Sequence, residues 1–381
     1  MRNQNTLEMN FSDEQAMLLD SARDFCRDHS SIAQVRELLD SDAGFNNDVW
    51  QQMVALGWLG IAVPEEFGGS ALGVGSTVPI AETMGRHLLS TPFFSSTLVA
   101  QTLLRAGTPV QQENWLPKLV EGEIATLALL ENEDWGDATL HCTASQQNDE
   151  LHLSGSKMFV ADAAQAQLFV VSVMHNNAPA LVLLSADQLP KDAIQTQILI
   201  DETKRSATID FSGVIVSKAA LLDTNKTVSA LNDIKLLGAL LIAAEATGSS
   251  AAALDCIVDY LKTRKQFGKY IGSYQALKHP TVDILNQVDS SRSLIYHAAS
   301  VCGSTTLDAD AEIACRMAKA QATDTLLFAG DRAVQFHGGM GFTYECDAQL
   351  YIRRAQWSQQ QFGDAYHHRK RLASLILDQQ P

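Results

Sequence analysis

The stretch Leu261-Lys262-Thr263-Arg264-Lys265-Gln266-Phe267-Gly268 decides how this chain is read. Behind it, apolar residues such as Leu237, Leu241, Ala244, Ala251, Leu254 and Val258 recur at helical spacing on one stripe, so the stretch ends a long helix. Ser273-Tyr274-Gln275 follows after a glycine-containing turn. A guanidinium, an amide and an aromatic ring displayed at a helix end suit a dinucleotide, with the cation for pyrophosphate, the amide for polar edges and the ring for stacking. Read alone, the same residues also describe a capped surface helix with a solvated basic end.

Helical periodicity continues from about Thr224 towards the C-terminus, which predicts three or four long helices joined by short loops into a bundle. On the other side the period shortens. Between about Ala125 and Lys218, runs at 151–153, 168–173, 181–184 and 207–211 are separated by Gly, Asn, Asp and Pro, as in a compact β domain. The first third is helical, with periodic segments over 47–56, 78–89, 95–104 and 111–119.

The 381 residues are 46% hydrophobic and 19% charged, enough to bury a large core in two or three domains. A formal net charge of −16 argues against nucleic acid or an anionic membrane as partner, because a phosphate field would repel the molecule. The six cysteines lack C-x-x-C or metal-like spacing and read as small buried hydrophobes in a reducing compartment, with no metal site. The first twenty residues hold no continuous apolar run of the signal-peptide kind, and a cytoplasmic protein is expected.

A second element sharpens the nucleotide reading. Ala333-Val334-Gln335-Phe336-His337-Gly338-Gly339-Met340-Gly341 sets three glycines just after a helical stretch, where backbone can approach a ligand closely. The two elements, in this order, resemble the acyl-CoA dehydrogenase family, whose members carry R-x-x-F-G and Q-x-x-G-G-x-G. The resemblance extends to Leu56–Gly69, to Leu153-Ser154-Gly155-Ser156-Lys157-Met158-Phe159-Val160 and to Tyr351-Ile352-Arg353-Arg354-Ala355, and so covers nearly the whole chain.

The resemblance implies an α+β fold with an N-terminal all-helical domain over 1–123, a middle β-barrel-like domain over 124–228 and a C-terminal four-helix bundle over 229–381. It implies FAD, an acyl-CoA thioester as substrate, electron-transfer flavoprotein as electron acceptor, and a homo- or hetero-oligomer built as a dimer of dimers. The shared reaction is α,β-dehydrogenation, in which a carboxylate removes the α-proton of a thioester whose carbonyl is polarised by hydrogen bonds. Matched motif to motif, Arg264, Gln266, Phe267 and Gln275 touch the adenosine-diphosphate half of FAD, and Gln335, Gly338 and Gly339 line it, mainly for a neighbouring subunit.

Several positions depart from the family pattern. Leu129-Leu130-Glu131-Asn132 puts Leu130 at the Thr of T-E-P, Gly136 stands at the Ser of G-S-D, and Lys157-Met158-Phe159-Val160 puts Val160 at the flavin-facing Thr. The commonest base position falls on Phe362, which accepts no proton, and the alternative position falls near Gly238. Two carboxylates are candidate catalytic groups. Asp364 lies two residues beyond Phe362 and otherwise reads as a helix-capping aspartate; Glu245 lies among apolar neighbours, where its charge needs a partner or a raised pKa. His337 reads as a structural histidine. Three functions stay open: a dehydrogenase or one subunit of one, a non-catalytic acyl-CoA-binding member, and another flavin reaction on a thioester.

Overall fold

The computed structural model describes residues 13–135, 139–303 and 306–378. Six helices come first: α1 (Asp13–His29), α2 (Ile32–Leu38), α3 (Asn47–Ala55), α4 (Val78–Arg86), α5 (Phe93–Ala106) and α6 (Pro109–Val120). Local chemistry sets several of their starts. Ser31 and Thr108 form capping boxes with Gln34 and Gln111, and Pro109 opens α6 where its missing N–H costs nothing.

The middle segment carries β1 (Ala125–Ala128), β2 (Thr143–Gln147), β3 (Glu150–Ser154), β4 (Ser156–Ala161), β5 (Leu168–His175), β6 (Ala178–Ser185), β7 (Ile194–Thr196), β8 (Ser206–Asp210) and β9 (Ile215–Ser217). They form two sheets. One has the order β1-β5-β2-β3-β9 with β6 on β5, and the other has the order β4-β8-β7. β5 and β6 are buried almost throughout, which is why they read as continuous apolar runs. Phe159 sits at φ 53°, and the β4–β8 register shifts between Lys157 and Val160. The bulge re-aims β4 at the site described below.

The C-terminal segment holds α7 (Thr227–Thr263), the two-residue strands β10 (Lys265–Gln266) and β11 (Lys269–Tyr270), then α8 (Gln275–Val301), α9 (Ala309–His337), α10 (Ala348–Gln360) and α11 (Ala365–Leu377). Among the described residues this is five helices rather than the expected four, because Asp364 caps a new helix after the turn at Gly363. α7 also differs from its expected single stripe. Residues 236–251 are buried on every side, whereas both ends keep an exposed face and the stripe persists through Leu254 and Leu261. By length and composition α7 could cross a membrane, but 72% of its most apolar window is buried in protein.

Two glycines bring α4 against α7 backbone to backbone. A Cβ on Gly85 would stand 1.9 Å from the Glu245 carbonyl oxygen, and one on Gly248 would stand 1.7 Å from that of Glu82. No other residue fits either place, and the crossing fixes the depth at which Glu245 enters the core.

Candidate functional site

A cavity of about 870 Å³, open mouth included, lies between α5, α7, β4 and the turn after α10. Phe94 and Leu98 of α5, Leu241 and Ile242 of α7, and Phe159 and Ala161 of β4 supply its apolar walls. The strand alternation explains the last pair. Phe159 and Ala161 share a face, while Val160 between them is buried in the β-domain core. The position facing the cavity is therefore Ala161, and the placement of Val160 there is corrected.

Leu129 and Trp135 line both this cavity and a second, outer one of about 740 Å³, whose walls include Leu130, Asn132, Asn232 and Lys235. Leu130 faces that outer space, consistent with its match to a ligand-facing position. Gly136 lies outside the described residues.

Phe362 occupies the mouth. Its ring packs on Trp135 with centroids 4.4 Å apart and presses on Gly238 of α7, where a Cβ would stand 2.5 Å from the ring atoms Cε1 and Cζ. Two side chains hold the turn that carries it. Buried Lys319 donates to the carbonyls of Ser358 at 3.1 Å, Gln359 at 3.3 Å and Gly363 at 2.8 Å, capping the orphan end of α10. Burial depresses its ammonium to about 7. His368 pairs its Nε2 with the Phe362 carbonyl at 3.1 Å and its Nδ1 with Arg316 at 3.5 Å, which assigns a neutral ring with the proton on Nε2. Burial first, then the charges of Lys319 and Arg316, lowers its pKa to about 3.

The inner part of the cavity is polar. Ser95 donates to Asp162 Oδ2 at 2.6 Å, and burial pushes the Asp162 carboxyl up. Lys204 Nζ donates to Glu245 Oε1 at 2.6 Å, and Arg354 Nη1 donates to the same oxygen at 2.8 Å. Arg354 also pairs with Asp201, and its Nη2 reaches Thr203. Arg354, Glu245 and Asp201 are fully or almost fully buried, so their charges stand on one another in a low dielectric.

Neither candidate base faces the cavity. Glu245 points into the ion cluster, with Arg354 and Lys204 as the partners its buried charge requires. Asp364 is exposed, and its carboxylate accepts the His367 N–H at 2.7 Å as the cap of α11. In the structure Asp364 caps α11, and Glu245 is ion-paired with Arg354 and Lys204. Lys204, Asp162 and Arg354 are what sequence reasoning missed. Asp201-Glu202-Thr203-Lys204-Arg205 looks like a solvated charge run, and only the fold buries Asp201 and Thr203.

The nucleotide-type residues gather at one end of the helical segment. Arg264 follows α7, Gln275 opens α8, and Gln335, Gly338 and Gly339 close α9. His337 stacks on Tyr260 with centroids 4.2 Å apart, one helical turn before Arg264, so the two motifs lie side by side. Arg264, Gln266, Phe267, Gln275, Gln335, Gly338 and Gly339 are exposed, whereas Tyr260 and His337 are half-buried. Phe267 is 91% exposed at φ 54°, and Gly338, at φ 61°, meets nothing within 4 Å of a would-be Cβ. Among the described residues the Arg264 guanidinium has no hydrogen bond or ion pair. A free cation, an exposed ring, open glycine backbone and the N-terminus of α8 fit a nucleotide pyrophosphate brought from outside the chain. His337 bonds the Ala333 carbonyl at 2.7 Å, a structural arrangement.

Comparison with known proteins agrees with this geometry. The family profile described as "Acyl-CoA dehydrogenase, N-terminal domain" matches residues 12–123, and "Acyl-CoA dehydrogenase, C-terminal domain" matches residues 236–377. The chain is 27% identical over 370 residues to the acyl-CoA dehydrogenase IpdE2 of Mycolicibacterium smegmatis, covering 96% of this chain and 100% of that protein. The solved Tcur3481-Tcur3483 steroid ACAD variant superposes with a TM-score of 0.84 at 26% identity, over 97% of this chain and 99% of that one. The ChsE4-ChsE5 complex from Mycobacterium tuberculosis shares the fold, with a TM-score of 0.86 at 23% identity over 98% of this chain and 100% of that one.

Proposed function

This chain belongs to the acyl-CoA dehydrogenase family, and we propose that it works as one subunit of a heteromeric enzyme performing FAD-dependent α,β-dehydrogenation of an acyl-CoA thioester. Electrons would pass on to an electron-transfer flavoprotein. The observation that carries the subunit reading is the contact of Phe362 with Gly238, because the two positions where the family places its base are both apolar here and fill one another.

FAD, when bound, supplies the hydride acceptor of the reaction. The chain's own part is binding and orientation. Arg264, Gln266, Phe267 and Gln275, with Gln335, Gly338 and Gly339, would hold the adenosine-diphosphate half, chiefly for a neighbouring subunit. The apolar walls formed by Phe94, Leu98, Leu241 and Ile242 would exclude water from an acyl chain, and the outer cavity beside Asn232 and Lys235 would take the polar arm of the thioester. Proton removal would take place on a second thioester, bound in the partner's own site, by a carboxylate of the partner chain, while this chain's cavities would hold a thioester without a base.

Absorption spectra and native mass test this reading, with the chain purified alone and co-expressed with an acyl-CoA dehydrogenase chain encoded beside it. A yellow, reducible complex formed only by co-expression supports it. A yellow homo-oligomer that oxidises acyl-CoA unaided overturns the subunit assignment.

A further inference from the structure

The cation at the inner end of the main cavity has donor capacity the protein does not use. An ammonium carries three donors, and Lys204 Nζ makes one hydrogen bond, to Glu245. Its other surroundings are the ring faces of Phe94, with the centroid at 5.4 Å, and Trp357, at 5.0 Å, and the cavity it lines. Arg354 binds the same carboxylate oxygen but also serves Asp201, so Lys204 completes the charge balance of the cluster through one N–H group and keeps two more for the cavity. A lysine serving only as a counter-ion would not need to stand between two rings at the cavity wall, where desolvation of its remaining N–H groups costs stability.

The rest of that end is polar as well. Ser95, Asp162 and Thr203 line it beside Lys204, whereas the end shared with the outer cavity is bounded by Leu129 and Trp135. Ser95 and Asp162 pair with each other and Thr203 pairs with Asp201, so a plain alkyl tail entering past Trp135 would leave the spare N–H groups of Lys204 unpaired. An oxygen on the tail would accept from Lys204 without moving anything else.

We infer that the ligand of this cavity is an acyl thioester bearing an oxygen acceptor, oxo or carboxy, remote from the thioester, and that Lys204 donates to it. This rests on the acyl-thioester reading above and narrows it to a substrate class. A site built to hydrogen-bond a ligand group rejects the analogue that lacks it far more strongly than an apolar slot rejects an extra atom.

Titration calorimetry on the co-expressed, flavin-bearing complex tests the inference directly, with Lys204→Met separating this cavity from the partner's site. The probes are hexanoyl-CoA, 5-oxohexanoyl-CoA and adipoyl-CoA, with the longer set decanoyl-CoA, 9-oxodecanoyl-CoA and sebacoyl-CoA. An oxygen-bearing member should bind about tenfold or more tightly than its alkyl counterpart, the discrimination expected for one hydrogen bond to a charged donor. Lys204→Met should keep the alkyl affinity and lose the preference; if it fails to fold, Lys204→Gln, checked by circular dichroism, takes its place. A preference for oxo or for carboxy members supports the donor equally. Equal binding across each set, or a preference that survives the substitution, overturns the inference while leaving the acyl-thioester reading standing. Failure of every thioester to bind overturns that reading itself.

Discussion

The ring of Phe362 lies so close over Gly238 that a Cβ on the glycine would stand 2.5 Å from Cε1 and Cζ. One residue comes from the turn between α10 and α11, the other from the middle of α7, and they are 124 positions apart (362 − 238). Each accounts for the other: the glycine makes room for a ring, and the ring fills the space a catalytic side chain would need. Lys319 and His368 hold the turn from behind, so the contact is built in rather than incidental.

Gly238→Ala should therefore change sign with its background. Alanine is favoured over glycine within a helix by about 1 kcal/mol, but overpacking against a fixed ring costs about 1–3 kcal/mol. In the natural chain the substitution should be neutral to destabilising. Combined with Phe362→Ala, which empties the space, it should stabilise relative to Phe362→Ala alone. Urea midpoints of the four chains measure this, and the same sign in both backgrounds would show that the ring does not press on the glycine.

Arg354→Met removes the cation shared by Glu245 and Asp201 inside the core. Lys204 still reaches Glu245, but Asp201 is left with Thr203. A loss of about 3–5 kcal/mol is expected, as for breaking a buried ion pair from one side. Adding Asp201→Asn should recover part of it. An unchanged denaturation midpoint for the single variant would contradict the ion cluster.

The turn carrying Phe362 should respond to acid. His368 is lowered from 6.5 to about 3 by burial and by nearby cations. Between those values the unfolded chain holds a proton on this imidazole that the folded chain does not, so stability rises with pH across the window and is lost as pH falls through it. His368→Gln keeps a donor for the Phe362 carbonyl and cannot titrate. Its stability should fall less than that of the natural chain between neutral pH and pH 4; parallel losses would exclude His368 as a contributor.

Arg264→Ala should weaken flavin retention by the assembled enzyme by about 10- to 100-fold, the worth of one charge-assisted hydrogen bond to a phosphate. Thermal stability should barely move, since the guanidinium has no partner among the described residues. Unchanged flavin content after dialysis would remove Arg264 from the nucleotide site.

Much of this was legible in the sequence because the signals were local. Arg264-Lys265-Gln266-Phe267-Gly268 and the glycines after His337 mark helix ends whatever surrounds them, and Asp364 reads as a cap because capping acts over three residues. The misreadings came from the third dimension. Val160 was placed on the wrong face because the count along β4 was one residue short, and the bulge at Phe159 leaves Phe159 and Ala161 facing the cavity. α7 reads as a one-striped helix, although the protein surrounds its middle at 236–251. The charge run at 201–205 gave no hint that Arg354, 150 residues on, would draw Asp201 and Glu245 into one buried cluster.

The account turns on whether this chain can remove an α-proton without help. The direct measurement is deuterium uptake from heavy water at the α-carbon of bound acyl-CoA, with added FAD, for the natural chain and for Phe362→Glu. The natural chain alone should show no exchange above the uncatalysed rate, and Phe362→Glu should show it. Full exchange by the natural chain alone would mean that a base acts in its own cavity, and the subunit reading would fall.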